Sequence, residues 1–289
     1  MSFLYLLVGA LCALIVALLV YAFRVEPYDL RLREIDIPIS NLPEPLDGFT
    51  IFHVSDIHTS SIGKLEQRLM DILSSVHADL GVITGDLVRK RKKPEAVKEV
   101  LSHFKARLGV YAVTGNSDYR LKVPLHNLVS AMDEIGIRFL MNSNVTCDVN
   151  GVKLQIIGVE DPFKARDDMN AAMAGLSDDG FRLLLAHSPD ILLKLEGRRV
   201  DLILAGHTHG GQIRFPGIGA LWLHCRHHLG ISDGLYTPDE LCRKLRRTDI
   251  GSSLYVSRGL GSSNIRARFL CPPEVTKITL RRKFEPGGE

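Results

Sequence analysis

Short apolar segments and amphipathic segments alternate along most of this chain. Residues 49–55, 80–84 and 110–114 are apolar runs of strand length, and each stops abruptly at polar residues. Between them, apolar side chains recur every three to four positions over residues 64–77 and again after Pro94, which predicts amphipathic helices. Strands that alternate with helices in this order predict an α/β domain.

A different pattern begins near residue 145. Asn150-Gly151 separates two apolar stretches and supplies the positive φ angles of a type I′ turn, so we predict a β-hairpin over residues 145–159. Further strands are predicted over residues 182–186, 201–205, 254–257 and 275–280. A basic segment led by Pro238 is predicted as a helix, either on the surface or at a membrane interface. The pattern favours a mixed sheet or two packed sheets.

The N-terminal segment carries no charged side chain before Arg24. At about 1.5 Å per residue, the apolar run over residues 3–23 spans a hydrocarbon core of roughly 30 Å. A signal peptide would show a basic start, a shorter apolar stretch and a small-residue cleavage site, and this segment has none of them. Arg24, Arg31 and Arg33 follow the run, so the positive-inside rule predicts a single-pass protein of the inner (cytoplasmic) membrane whose remaining part faces the cytoplasm.

We therefore divide the chain into four predicted parts. They are a transmembrane anchor (1–23), a connecting strand with a proline-rich linker (24–48), a catalytic domain (49–283) and a tail (284–289). The net charge of +3, from 36 basic and 33 acidic residues, gives no reason to expect nucleic-acid binding. Five cysteines without a Cys-x-x-Cys pair argue against a disulfide framework and suit a reducing compartment.

Polar side chains that can bind metals follow five of the predicted strands. They are Asp56, His58, Asp86, Asn116, His187, His207 and His209. Because the carboxyl ends of strands in an open α/β sheet line a common crevice, we expect these side chains to converge. Seven nitrogen and oxygen donors exceed the four that one zinc takes, and they suit two metals that share a carboxylate. The absence of cysteine from the set favours Mn²⁺, with iron or Zn²⁺ as alternatives.

The order of these residues is more specific than any one of them. Five motifs carry it: Asp56-x-His58, Gly85-Asp86, Gly115-Asn116-x-Asp118, His187 and Gly206-His207-Thr208-His209. This series resembles the calcineurin-like metallophosphoesterase superfamily over about residues 42–280. Residues 206–215, and residues 257–261 followed by 271–274, resemble its membrane-anchored bacterial branch, which includes UDP-2,3-diacylglucosamine hydrolases of lipid A biosynthesis.

The resemblance implies a fold and a set of residue roles. The fold would be two mixed β-sheets packed face to face and flanked by helices. One metal would be held by Asp56, His58 and His209, the other by Asn116, His187 and His207, with Asp86 as the bridge. A hydroxide that bridges the two metals would attack phosphorus, and Asp118 would support the ligands from behind.

One position departs from the pattern of the superfamily. Ser117 stands where most members have a histidine that helps the departing oxygen, and serine is no general acid near neutral pH. This departure favours a leaving group that is stable as an anion, such as a nucleoside monophosphate. We expect hydrolysis of the diphosphate in a nucleotide-linked lipid, with Arg89, Arg258 and Arg268 binding phosphate. A phosphodiesterase or phosphatase with soluble substrates and a weakly active metal-binding scaffold are the alternatives.

Overall fold

The computed structural model describes residues 2–220, 223, 229–262 and 265–283. The first of its two six-stranded sheets contains, in spatial order, β1 (Arg31–Ile39), β14 (Glu274–Arg282), β2 (Thr50–Val54), β3 (Leu80–Thr84), β4 (Val110–Val113) and β5 (Ile137–Phe139). The second contains β12 (Gly234–Tyr236), β13 (Ser253–Val256), β9 (Leu202–Ala205), β8 (Phe181–Leu185), β7 (Val152–Gly158) and β6 (Ser143–Val149). A small ribbon pairs β10 (Arg214–Phe215) with β11 (Gly219–Ala220).

Both large sheets are mixed. In the first sheet β2, β3, β4 and β5 run parallel, whereas β14 is antiparallel to β2 and parallel to β1. In the second sheet β13, β9, β8 and β7 run parallel, and the edge strands β12 and β6 are antiparallel to their neighbours. The parallel strands end at the same edge of each sheet, so the residues that follow them are brought together.

The two sheets pack face to face with helices on their outer faces. Ile51 of β2 and Leu183 of β8 belong to the apolar layer between the sheets. The next residue along β2, Phe52, points to the other face and packs edge-to-face on Phe104. Ile203 of β9 faces the outer layer of the second sheet. The helices are α1 (Ser2–Val20), α2 (Lys64–Ser75), α3 (Glu95–Leu101), α4 (Leu125–Asp133), α5 (Met169–Ala172) and α6 (Pro238–Leu245).

This architecture confirms the predicted fold class of two packed mixed sheets flanked by helices. The predicted hairpin is β6 and β7, and its turn residues Asn150 and Gly151 have φ angles of 50° and 84°. The basic segment after Pro238 is the short helix α6, which buries Leu241 against the second sheet. Residues 284–289, predicted as a tail, lie outside the described residues.

The N-terminal helix projects from the catalytic part of the chain. α1 buries none of its residues, and with the turns that follow it the segment Ser2–Tyr28 is long and apolar enough to cross a membrane. Its base is different, because the Glu26 side chain is fully buried and its carboxylate accepts hydrogen bonds from the backbone N–H groups of Leu270 and Cys271. The carbonyl of Ala22 accepts a 2.9 Å hydrogen bond from the Arg268 N–H. We call the contacts of Ala22 and Glu26 with residues 268–271 the anchor junction.

Candidate metal centre

The seven predicted ligands stand at the carboxyl ends of β2, β3, β4, β8 and β9. Five of them have positive φ angles: Asp56 (51°), His58 (49°), Asp86 (53°), His207 (71°) and His209 (52°). Such angles are uncommon for residues other than glycine, and they persist only where the surrounding structure enforces them. The backbone at these strand ends is therefore bent so that the side chains turn inward.

Two glycines allow the strand ends to approach one another. A Cβ atom on Gly206 would lie 2.3 Å from Asp56 Oδ2, and one on Gly115 would lie 2.2 Å from Asp86 Oδ1. No side chain fits at these positions without displacing a carboxylate. The two glycines therefore bring the strand ends together for a steric reason.

The first group of ligand atoms contains Asp56, His58 and His209, whose donor atoms lie within 4.8 Å of one another. His58 Nε2 lies 3.3 Å from His209 Nε2, and their rings stack with centroids 5.1 Å apart. Asp56 Oδ1 lies 3.6 Å from His209 Nε2. The other oxygen of Asp56 accepts hydrogen bonds from Ser55 Oγ at 2.6 Å and from the His207 N–H at 2.9 Å, which orients the carboxylate.

The second group contains Asp56, Asp86 and His187 within the same distance. His187 Nε2 lies 3.0 Å from His207 Nδ1 and 3.5 Å from Asp86 Oδ1. The other carboxylate oxygen of Asp86, Oδ2, lies 3.4 Å from His58 Nε2. The two oxygens of Asp86 therefore each face one histidine, one from either side of the cluster.

Two buried oxygens in this cluster indicate that it can bind cations. Within the described part of the chain, no hydrogen-bond donor reaches Asp56 Oδ1 or Asn116 Oδ1. A buried acceptor without a donor is costly, and such groups are rare unless a ligand, ion or water satisfies them. Carboxylate and amide oxygens together with imidazole nitrogens are the donors that Mn²⁺, iron and Zn²⁺ accept. The residues present therefore fit two divalent ions.

The electrostatics of the cluster favour positive charge. Burial lowers the pKa of His187, but the charges of Asp86 and Asp56 outweigh burial and raise it to about 9. His53 is also fully buried, its ring nitrogen Nε2 lies 2.8 Å from Thr84 Oγ1, and burial lowers its pKa to about 3. His53 belongs to β2 and lies outside the two groups of candidate ligand atoms.

Asp118 and Ser117 lie on the loop after β4. The Asp118 carboxylate accepts hydrogen bonds from the backbone N–H groups of Gly115 and Asp86, both at 2.9 Å, and from Leu87 at 3.0 Å. Asp118 therefore connects the loop after β4 to the loop after β3 from behind the ligands. Ser117 is 5% exposed, and its Oγ lies 3.4 Å from His58 Nδ1 at the floor of the cleft.

The three predicted substrate arginines lie in different surroundings. Arg89 lines the cleft of about 180 Å³ that opens over the ligand cluster. Arg258 is partly buried, and its Nε lies 2.7 Å from Asp233 Oδ2. Arg268 is fully buried, and its guanidinium donates to the backbone carbonyls of residues 258, 259, 261 and 271. Neither Arg258 nor Arg268 is among the residues that line the cleft.

Four further residues line the cleft: Lys90, Arg120, Phe163 and Lys164. Lys90 follows Arg89 in the same basic run, whereas the other three were not singled out from the sequence. The Phe163 ring lies 4.4 Å from the His207 ring, and Lys164 Nζ lies 4.6 Å from the Phe163 ring. The signal in the sequence was the end of β7, where an apolar strand stops at Glu160-Asp161 in the same way as the other five strands. Burial raises the pKa of Asp161 to about 6.

A cluster of carboxylates and imidazoles at the strand ends of two packed mixed sheets defines this protein as a metallohydrolase of the α/β class. The family model for the calcineurin-like phosphoesterase matches residues 49–211, and the chain belongs to this family. The family uses a dinuclear metal centre, and the candidate ligands that lie within mutual reach are Asp56, His58, Asp86, His187 and His209. The protein is a metal-dependent hydrolase.

Three relatives extend over most of this chain. The uncharacterized metallophosphoesterase YkuE of Bacillus subtilis strain 168 is 32% identical over 271 residues, which cover 90% of this chain and 89% of that protein. The UDP-2,3-diacylglucosamine pyrophosphatase LpxG of Chlamydia trachomatis is 27% identical over 319 residues, with coverage of 92% and 93%. The transmembrane protein with metallophosphoesterase domain of Danio rerio is 30% identical over 265 residues, which cover 86% of this chain and 57% of that protein.

Proposed function

We propose that the two ions of the family's dinuclear centre are held by two sets of ligands that share Asp86. One set is Asp56, His58 and His209, and the other is Asn116, His187 and His207. The observation that carries this assignment is the position of Asp86, whose Oδ2 lies 3.4 Å from His58 Nε2 and whose Oδ1 lies 3.5 Å from His187 Nε2. We propose Mn²⁺ as the ion, because the donors are oxygen and nitrogen only.

Bound ions in such a centre neutralise phosphoryl charge and make a coordinated water more acidic. The protein's own residues then position the substrate. The side chains of Arg89, Lys90, Arg120 and Lys164 line the cleft and supply positive charge beside the ligands. Asp118 holds the loop after β4 in place through the Gly115 N–H, and Ser117 presents a hydroxyl at the cleft floor in place of a general acid.

We propose that the substrate is a nucleotide-linked lipid with a diphosphate, and UDP-2,3-diacylglucosamine is the leading candidate. Ser117 gives no strong proton donor, and a nucleoside monophosphate leaves as a stable anion without one. A relative with 27% identity is named as a UDP-2,3-diacylglucosamine pyrophosphatase, which supports this substrate class. The cationic cleft suits the charge of a diphosphate.

The N-terminal segment is proposed as a single-pass anchor in the inner membrane, with the catalytic domain of residues 49–283 in the cytoplasm. The apolar segment Ser2–Tyr28 and the arginines that follow it support this orientation. A lipid substrate is confined to the surface where such a domain is held. A reporter fused after residue 289 should be located in the cytoplasm. If alkaline phosphatase fused at the same position were active in the periplasm, the proposed orientation would be wrong.

The substrate proposal is tested with purified, Mn²⁺-loaded full-length protein in mixed micelles. UDP-2,3-diacylglucosamine and a simple alkyl phosphomonoester are compared at equal surface concentration, together with a soluble activated diester. Faster cleavage of the nucleotide-linked lipid is expected. Faster hydrolysis of the monoester would reject the substrate, turnover of the soluble diester alone would favour the soluble-substrate alternative, and no turnover with bound metal would favour a scaffold.

A further inference from the structure

A second groove, of about 210 Å³, joins the cleft over the ligand cluster. It shares His58 and Arg89 with the cleft and continues to Pro27 and Tyr28, directly after the base of the apolar helix. We call it the anchor groove. It connects the candidate metal centre to the place where the N-terminal helix meets the catalytic domain.

The two ends of the anchor groove are held at a fixed distance by buried hydrogen bonds. The Gly261 N–H donates to the Asp56 carbonyl at 2.7 Å, and the Gly261 carbonyl accepts from the Arg268 guanidinium at 2.6 Å. The N–H of Arg268 in turn donates to the carbonyl of Ala22. This series runs from a ligand residue to the base of the helix without a flexible linker, so the groove opens at a defined height above the bilayer if the helix spans it.

The walls of the anchor groove combine apolar and cationic side chains. The apolar residues are Ile57, Leu65 and Leu260, and the cationic residues are Lys64, Arg89 and Arg266. Glu66 also lines the groove, but its carboxylate accepts a 3.0 Å hydrogen bond from the Gly63 N–H at the start of α2. Such walls suit a ligand that carries an anion and a hydrocarbon chain together.

Two of the cationic residues that line the groove are arginines, Arg89 and Arg266. Within the described residues, no carboxylate forms an ion pair with Arg89 or Arg266. Both line the same groove, and burial first and then the positive charge of Arg266 lower the pKa of Arg89. Two neighbouring guanidinium groups repel, and a phosphate that accepts hydrogen bonds from both relieves the repulsion.

We propose that the anchor groove binds the acylated phosphate part of a lipid substrate that enters from the bilayer. Arg89 and Arg266 hold the phosphate that stays on the lipid, and Ile57, Leu65 and Leu260 contact the first methylene groups of its chain. This inference rests on the proposed function and adds to it a route of entry, a phosphate-binding residue, Arg266, and an apolar wall that favours lipid over soluble substrates.

Two phosphonates test the groove apart from the identity of the substrate. Hexylphosphonate and methylphosphonate share the anionic head, resist hydrolysis and differ in chain length. Each is used to inhibit hydrolysis of a soluble activated diester by the Mn²⁺-loaded full-length protein in phosphatidylcholine nanodiscs. We expect hexylphosphonate to inhibit at a concentration at least about 10-fold lower than methylphosphonate, because its chain is buried in the groove.

Two variants locate the effect. Arg266→Ala should raise the inhibition constants of both phosphonates about 10-fold, because they share the anionic head, and Ser61→Trp, which fills the groove, should abolish the difference between them. Arg243→Ala, on the exposed face of α6, is the matched control and should change neither constant. Equal inhibition by both phosphonates in the parent protein, or no change in Arg266→Ala, would overturn the proposal, as would a difference between the two phosphonates that persists in Ser61→Trp.

The outcome is separable from that of the substrate test. If the parent protein does not cleave UDP-2,3-diacylglucosamine but is inhibited more strongly by hexylphosphonate than by methylphosphonate, the substrate assignment is wrong and the groove proposal is supported. If it cleaves that lipid but treats both phosphonates alike in every variant, the substrate assignment stands and the groove proposal fails.

Discussion

The candidate metal centre and the anchor junction are both buried polar clusters, yet they are completed in different ways. At the junction, Glu26 accepts two backbone N–H groups, and Arg268 donates to the backbone carbonyls of four residues. At the metal centre, Asp56 Oδ1 and Asn116 Oδ1 are buried and have no donor among the described residues. One cluster satisfies its polar groups from within, and the other leaves oxygens that only an added ligand can satisfy.

This contrast separates a structural role from a chemical one. A buried charge whose hydrogen bonds are all made stabilises one arrangement of the chain, and removing it destabilises the fold. A buried acceptor that lacks a donor marks a place where an ion or substrate completes the structure. Substitutions at the junction should therefore change stability, and substitutions at the centre should change metal content and activity.

The largest effect is expected for Asp86→Ala. Asp86 faces a histidine of each proposed ligand set, so both ions should bind more weakly and activity should fall at least about 10³-fold, or ~4 kcal/mol in barrier. Metal content by mass spectrometry and turnover of a soluble diester are the measurements. Asp36→Ala, an exposed carboxylate on β1, is the control. Two bound ions with unchanged turnover in Asp86→Ala would contradict the assignment.

Arg268→Met should be the most destabilising change at the anchor junction. It leaves several buried carbonyls without a donor, for which we expect a loss of about 3 kcal/mol in the free energy of unfolding. Thermal unfolding of the full chain in nanodiscs measures it, with the exposed Arg243→Met as the control. A normal melting temperature combined with a specific loss of lipid turnover would instead indicate that Arg268 binds substrate.

Glu26→Gln tests the other half of the junction with little change in shape. A carboxamide has one acceptor oxygen and brings an NH₂ group toward a backbone N–H, so a loss of about 2 kcal/mol is expected. Metal content should stay at the parent value. Glu44→Gln, on the exposed proline-rich linker, serves as control, and a Glu26→Gln protein that loses metal but melts normally would erase the distinction between the two clusters.

Ser117→His should have the smallest effect, and on selectivity rather than stability. An imidazole at the cleft floor adds a proton donor for poor leaving groups, and a positioned general acid contributes about 10²–10⁴-fold when fully aligned. We expect the rate of alkyl phosphomonoester hydrolysis to rise about 10-fold relative to that of the lipid diphosphate. This is less than a fully aligned general acid contributes, because the introduced imidazole is not positioned by the surrounding residues. Ser130→His on the surface of α4 is the control, and an unchanged ratio of the two rates would refute a role of Ser117 in substrate choice.

Much of the fold and of the candidate site follows from local signals in the sequence. Strand periodicity located β2, β3 and β4 to within a residue or two, and Asp56, His58 and Asp86, which follow β2 and β3, belong to the two groups of candidate ligand atoms. This succeeded because parallel strands in one sheet end at the same edge, so position along the chain translates directly into position in space. The turn at Asn150-Gly151 was equally local, since it depends only on two backbone conformations.

The roles of buried charges were decided only by the tertiary structure. The sequence suggested the same role, phosphate binding, for Arg268 and Arg89. In the structure Arg268 donates to backbone carbonyls in the core, whereas Arg89 lines the cleft. Glu26 gave no signal at all, because its partners Leu270 and Cys271 are 244 and 245 positions away in the chain. The sequence by itself determined most of the strands, the positions of the candidate ligands after them and the apolar helix, all of which depend on short-range pattern. Only folding determined which charges are enclosed and which face the cleft, because that depends on contacts between segments far apart in the chain.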